Sequence, residues 1–117
     1  MTTIIPLEAA ACLLPEPEQA ERRQQVIRTL VQAVRQTREL PDGYGLAFPG
    51  EADWLARLAE FVAFERNCCP AFRFEIICEP GHGPLWLHVR GEGGVKDMIR
   101  AELEAVGDGF TSHGTAA

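Results

Sequence analysis

The sequence predicts a single α+β domain with elements in the order α-β-α-β-β-α, a small three-stranded mixed sheet, and a C-terminal hairpin followed by a helix. Three observations carry this. Apolar residues recur at helical spacing in three stretches, alternate at strand spacing in three others, and Pro/Gly clusters fall between them. A chain of 117 residues is a common single-domain size and buries a core without help from disulfides or a structural metal.

Residues 1–17 hold Pro6, Pro15 and Pro17 around two apolar patches, and read as an extended arm with a short strand near Thr3 to Leu7. Pro17-Glu18 opens the first helix, with an acid in the first turn where the dipole favours it. Val26, Ile27, Leu30, Val31 and Val34 form its buried stripe. Arg22, Arg23, Arg28, Arg35 and Arg38, interleaved with glutamines, read as its solvated face. The helix ends by Leu40, because Pro41 disfavours helix in the residue before it. Asp42-Gly43 is a turn signal, and Tyr44, Leu46 and Phe48 alternate as a short strand closed by Pro49-Gly50.

A second helix runs from about Ala52 to Asn67, with Trp54, Leu55, Leu58, Phe61 and Val62 on its apolar face and Pro70 as its limit. The crossover through it has βαβ length and is expected to be right-handed. Phe72, Phe74, Ile76 and Cys78 then alternate with Arg73, Glu75 and Ile77, which puts Cys78 in the core. After the turn from Glu79 to Pro84, Leu85, Leu87 and Val89 alternate again. A regular hairpin sets Glu75 opposite His88, Ile76 opposite Leu87 and Ile77 opposite Trp86, with the apolar set of both strands on one face. Gly91 to Gly94 leads into a third helix, Val95 to about Val106, with Gly107 placed to cap it. The domain thus covers residues 1–107, and residues 108–117 are expected to be a disordered tail. Trp86, Ile77 and His88 would leave apolar area on the second face of the sheet, so a homodimer is expected.

An apolar fraction of 46% and a charged fraction of 24% are ordinary for a globular chain. No apolar run approaches the roughly 20 residues that span a bilayer. The stretch Ala9 to Leu14 is too short for a signal sequence, and Glu8 stands where a basic flank would be. The reading is a cytoplasmic protein with no membrane partner. A net charge of −6, from 17 acids against 11 bases, repels phosphate backbones and argues against nucleic acid.

The distinctive chemistry gathers around Glu65-Arg66-Asn67-Cys68-Cys69-Pro70. At 100° per residue Glu65 falls in the middle of the apolar face of the second helix, where a carboxylate must be paired, hydrogen-bonded or protonated. A buried ion pair, with Arg66 or an arginine of the first helix, is the structural reading. A frayed helix end that frees Glu65 is another, and an acid/base or ligand role is the functional one. Cys68 and Cys69 follow at three and four residues, at a helix-to-strand corner set by Pro70. A disulfide between neighbours is strained, and a reducing compartment makes thiols or metal ligands the default. The negative end of the helix dipole disfavours a thiolate there, so the pair suits soft-metal binding or plain packing better than nucleophilic catalysis.

Cys12, in the arm, would supply a third thiolate if the arm folds back. Among the four cysteines no Cys-x-x-Cys knuckle occurs, and His82 reads as solvated. Gly91-Glu92-Gly93-Gly94 matches neither a P-loop nor a dinucleotide fingerprint and reads as a tight turn. No catalytic motif is present, so a non-enzymatic role is favoured. The candidate ligand set for a soft metal ion is Cys68, Cys69, Cys12 and Glu65. The competing reading is a structural or interaction module in which the same residues only stabilise the fold.

Glu65-Arg66-x-Cys68-Cys69-Pro70-x-Phe72-x-Phe74, then Trp86-Leu87, then Gly91-x-x-Gly94-Val95-Lys96, resembles a group of short bacterial proteins of unassigned function. The likeness covers the second half of the chain, and Cys12 followed by a polar helix fits the same layout. Ala71 departs from the bulky residue expected after the proline. The resemblance implies no activity.

Overall fold

A computed structural model describes residues 17–106. Helix α1 (Pro17–Gln32) leads into a hairpin of β1 (Gln36–Leu40) and β2 (Gly43–Phe48). Helix α2 (Ala52–Cys68) follows, then a second hairpin of β3 (Arg73–Cys78) and β4 (Leu85–Arg90), and helix α3 (Val95–Val106). The α+β class stands. The sheet, however, has four strands in the order β1-β2-β4-β3, and every neighbouring pair is antiparallel, so the expected three-stranded mixed sheet is corrected.

The extra strand comes from the end of the expected first helix. That helix stops at Gln32, and Gln36–Leu40 pairs with β2, from Gln36 opposite Ala47 to Leu40 opposite Gly43. Pro41 and Asp42 make the turn between them. Good helix formers such as Gln36, Arg38 and Glu39 are overridden because the ladder satisfies their backbone groups and the pairing buries Thr37. The crossover through α2 does join two strands that run in the same direction. They are not neighbours, since β2 and β3 each pair antiparallel with β4, which lies between them. The second hairpin keeps the expected register: Glu75 opposite His88, Ile76 opposite Leu87, Ile77 opposite Trp86.

The core lies between one face of the sheet and the helices. Tyr44, Leu46 and Phe48 of β2 and Leu85, Leu87 and Val89 of β4 meet Leu30 of α1, Leu58 of α2, and Val95, Ile99 and Leu103 of α3. Cys78 corrects another expectation. It is in phase with the core face, but it ends an edge strand and is exposed. The arm of residues 1–16, with Cys12, and the tail lie outside the described residues.

On the opposite face Trp86 is only 4% and His88 7% exposed. The apolar area expected to draw two copies together at these positions is already covered within one chain. The Arg38 guanidinium sits 3.8 Å from the Trp86 ring centroid, a cation–π contact. Gly45 lets the His88 ring lie against β2, because a Cβ there would come within 2.8 Å of His88 Cδ2. His88 Nδ1 lies 3.1 Å from Glu75 Oε1, which also accepts from Arg90 Nη1 at 3.0 Å. An ionised carboxylate only accepts, so Nδ1 is the donor in this contact. Nε2 is buried and finds no hydrogen-bond partner among the described residues.

The Arg90 and His88 hydrogen bonds hold the Glu75 carboxyl below the usual carboxylate range. A carboxyl with a lower pKa folded than unfolded adds stability above its unfolded value and loses it as pH falls through the folded one. The urea midpoint of the wild type should therefore fall more steeply than that of Glu75→Gln between about pH 5 and pH 3, and the two curves should draw together at the acid end. Parallel curves would show that Glu75 contributes nothing through its charge.

Candidate functional site

Helix α2 places Glu65 in line with Leu58, Phe61 and Val62, and Glu65 is 1% exposed. Helix α1 meets it with Arg23, which shares a stripe with Ile27 and Leu30, all three buried. Arg23 therefore does not belong to the solvated arginine face expected of it. The pair is bidentate: Arg23 Nε donates to Glu65 Oε2 at 2.5 Å and Nη2 to Oε1 at 2.9 Å. Of the pairing expectations for Glu65, an arginine of the first helix is the one found.

Helix α3 adds Glu102. Its Oε1 accepts from Arg23 Nη2 at 3.1 Å, and its Oε2 accepts from Nη1. Glu102 is partly exposed, at 27% of its side chain, so water shares the cost of its charge. Burial works against the Arg23 cation, but its hydrogen bonds to the Glu65 and Glu102 carboxylates outweigh it and hold the guanidinium above its ordinary pKa. Arg23 stays charged. With one cation and two carboxylates, the cluster carries a net charge of about −1 before any thiol ionises.

Cys69 completes the cluster. It caps α2 with its N–H on the Glu65 carbonyl at 2.7 Å, at φ −127° and ψ 73°. Pro70 bars the residue before it from helical geometry. The Cys69 carbonyl accepts from the Phe72 N–H at 3.1 Å, which folds the chain back into β3. These constraints bury Cys69 completely, with its Sγ 3.6 Å from Arg23 Nη2. Nη2 has two N–H bonds for three acceptors, so the long sulfur contact is the weakest of them. Cys68, the last residue of α2, is also buried. The corner encloses both thiols.

Beside the cluster lies a cavity of about 50 Å³, lined by Arg23, Glu65 and Glu102 and by apolar side chains that include Phe72 and Phe74. It is large enough for ordered water at its polar end. Both Glu65 oxygens already accept from Arg23. Among the described residues no group of three His, Cys, Asp or Glu is placed to hold a metal ion. Cys12 lies outside the described residues. His82, at φ 56°, is exposed in the β3–β4 turn. Gly91 to Gly94 form the tight turn expected, with the Val95 side chain packed where a Gly91 Cβ would be.

Sequence reasoning missed Arg23 and Glu102. For Arg23 a signal existed, since 23, 27 and 30 share one helical stripe. Glu102 had none, because only the fold brings it to Arg23.

Replacing Glu65 with Gln leaves a buried guanidinium short of a partner and should destabilise the fold by about 3–5 kcal/mol. Arg23→Met with Glu65→Leu should restore much of that loss, because both buried charges go together. Urea unfolding of the single and double variants checks both, and an unaffected Glu65→Gln would mean that the pair adds no stability. No family model, curated protein or solved structure matches this chain.

Proposed function

We propose that this is a small, non-enzymatic, thiol-centred protein that binds a soft, thiophilic metal ion through Cys68 and Cys69, with Cys12 as third donor. Glu65 acts mainly by fixing Arg23. The observation that carries the reading is the Arg23–Cys69 contact at 3.6 Å inside a cluster that also holds two carboxylates.

Two electrostatic facts support it. The C-terminal end of α2 disfavours a thiolate, and Arg23 opposes that with an N–H aimed at the sulfur. The cluster's excess negative charge, in turn, favours an arriving cation over further unpaired anions. Exchanging two thiol protons for one divalent ion leaves the buried charge unchanged, which a low-dielectric site requires. Zinc asks for four tetrahedral donors, whereas mercury(II) and copper(I) accept two, and trivalent arsenic takes three thiolates.

A reducing cytoplasm, the expected location, would keep such thiols available. Among the described residues no helix is long and apolar enough to cross a membrane. A homodimer is not required by this reading. The second reading, a structural or interaction module, is favoured by one observation: both sulfurs are enclosed. In that case Arg23, Glu65 and Glu102 tie the helices together and the cysteines pack.

Titration of the reduced protein decides between them. It should be done in a Cys78→Ser background, because Cys78 is exposed and would itself take up mercury. Removing it should leave stability unchanged. Mercury(II) should bind one ion per chain and release about two protons, whereas arsenic(III), added as As(OH)3, should consume a third thiol if Cys12 joins and carry the thiol protons away as water, with no net proton release. Adding Cys68→Ser and Cys69→Ser should abolish arsenic(III) binding and the two-proton mercury(II) site, leaving at most one-proton uptake of mercury at Cys12. Equal, weak binding with and without the two cysteines would put the module reading first.

A further inference from the structure

We infer that the groove between α1 and α2 is a binding site for a small amphipathic anion, an apolar body with one carboxylate or phosphate group. Helix α1 leans on α3 and touches α2 little, which leaves the groove open. Its volume is about 630 Å³, within the range of roughly 300–1,000 Å³ typical of small-molecule sites. Val26 and Phe64, two of the three large apolar side chains exposed among the described residues, line it from the α1 and α2 walls, and Phe61 joins Phe64 on the α2 wall. Burying such exposed apolar surface is the driving force for an apolar body.

The charge of the groove selects the head group. Arg22 stands on the α1 wall and Arg57 on the α2 wall, and among the described residues neither enters an ion pair. The Arg57 guanidinium sits 4.8 Å from the Trp54 ring centroid, which orders it before any ligand arrives. Glu60 is the opposing charge, and Arg23, also at the groove, is already engaged by Glu65 and Glu102. The balance is two available cations against one acid, in a chain whose net charge is −6. The Thr29 hydroxyl is turned onto the Gln25 carbonyl at 3.0 Å, so recognition of an anion falls to the arginines. The site stands apart from the thiol reading, because neither Cys68 nor Cys69 lines it.

Calorimetric titration of the full-length protein with decanoate, decyl phosphate, decanol and decyltrimethylammonium tests this. Decanoate or decyl phosphate should bind, the stronger of the two identifying the head group, and the ammonium analogue should bind at least about tenfold more weakly. Arg22→Gln and Arg57→Gln should each weaken the anion by about tenfold, and Phe64→Ser should weaken all four probes. Arg28→Gln, an exposed arginine of α1 outside the groove, should leave binding unchanged. Thermal melts check that the exposed variants remain folded. Silence of both anions at millimolar concentration would overturn the inference. So would equal binding of anion and cation, or full affinity in the Arg22→Gln, Arg57→Gln double variant.

Discussion

Arg23 and Glu65 lie 42 residues apart in sequence and meet through two parallel hydrogen bonds, and the helical layer of this protein is arranged around that meeting. Apolar residues hold each helix to the sheet, but dispersion and hydrophobic contact are tolerant of rotation and sliding. A bidentate guanidinium–carboxylate pair is not. It requires Arg23 of α1 and Glu65 of α2 to face one another, and through Glu102 it fixes the rotation of α3 as well. A hydrophobic pair of similar volume would hold the layer with less desolvation cost. The polar pair instead specifies which faces of the helices meet, and it puts a fixed positive charge beside Cys69.

The sheet contributes the other half of that placement. Because β4 inserts between β2 and β3, the chain leaving β2 must cross over one strand before it enters β3, and α2 makes that crossing. It ends under Arg23, where Pro70 stops the helix and the Cys69 carbonyl bonds to Phe72. The last helical turn therefore cannot fray toward solvent without breaking the corner that starts β3. Glu65 and Cys69 are held by the same hydrogen bond, from the Cys69 N–H to the Glu65 carbonyl. A shift in one is felt by the other.

Much of this was legible in the sequence, for reasons that differ by residue. Glu65 stood out because a carboxylate broke an apolar stripe, and the break pointed to a buried partner. The β3–β4 register followed from a defined turn and alternating side chains, both local properties. Strand β1 was illegible because Gln36, Arg38 and Glu39 favour helix and only Thr37 is buried, so the pairing with β2 decides the conformation. Arg23 was hidden by its neighbours: in an arginine- and glutamine-rich stretch the one inward residue shows only through its spacing to Ile27 and Leu30. Cys78 failed the other way. Its phase was right, but period-two alternation says nothing of where the covering layer ends, and an edge strand's last residue lies beyond it.

The cluster also shows why its cation is an arginine. Glu65 takes two donors in a fixed plane, Glu102 draws on both terminal nitrogens, and the Cys69 sulfur takes what remains of Nη2. A lysine ammonium has three donors on one atom and could satisfy one carboxylate well, or two poorly, but could not reach across the cluster. The guanidinium is also the side chain that keeps its charge when buried, where a lysine readily shifts toward neutrality. A neutral amine at this position would leave Glu65 as an uncompensated buried anion and would remove the positive group that contacts Cys69. The geometry that binds the helices together and the electrostatics offered to the thiol thus come from the same five N–H bonds. Packing and chemistry at this site cannot be varied independently.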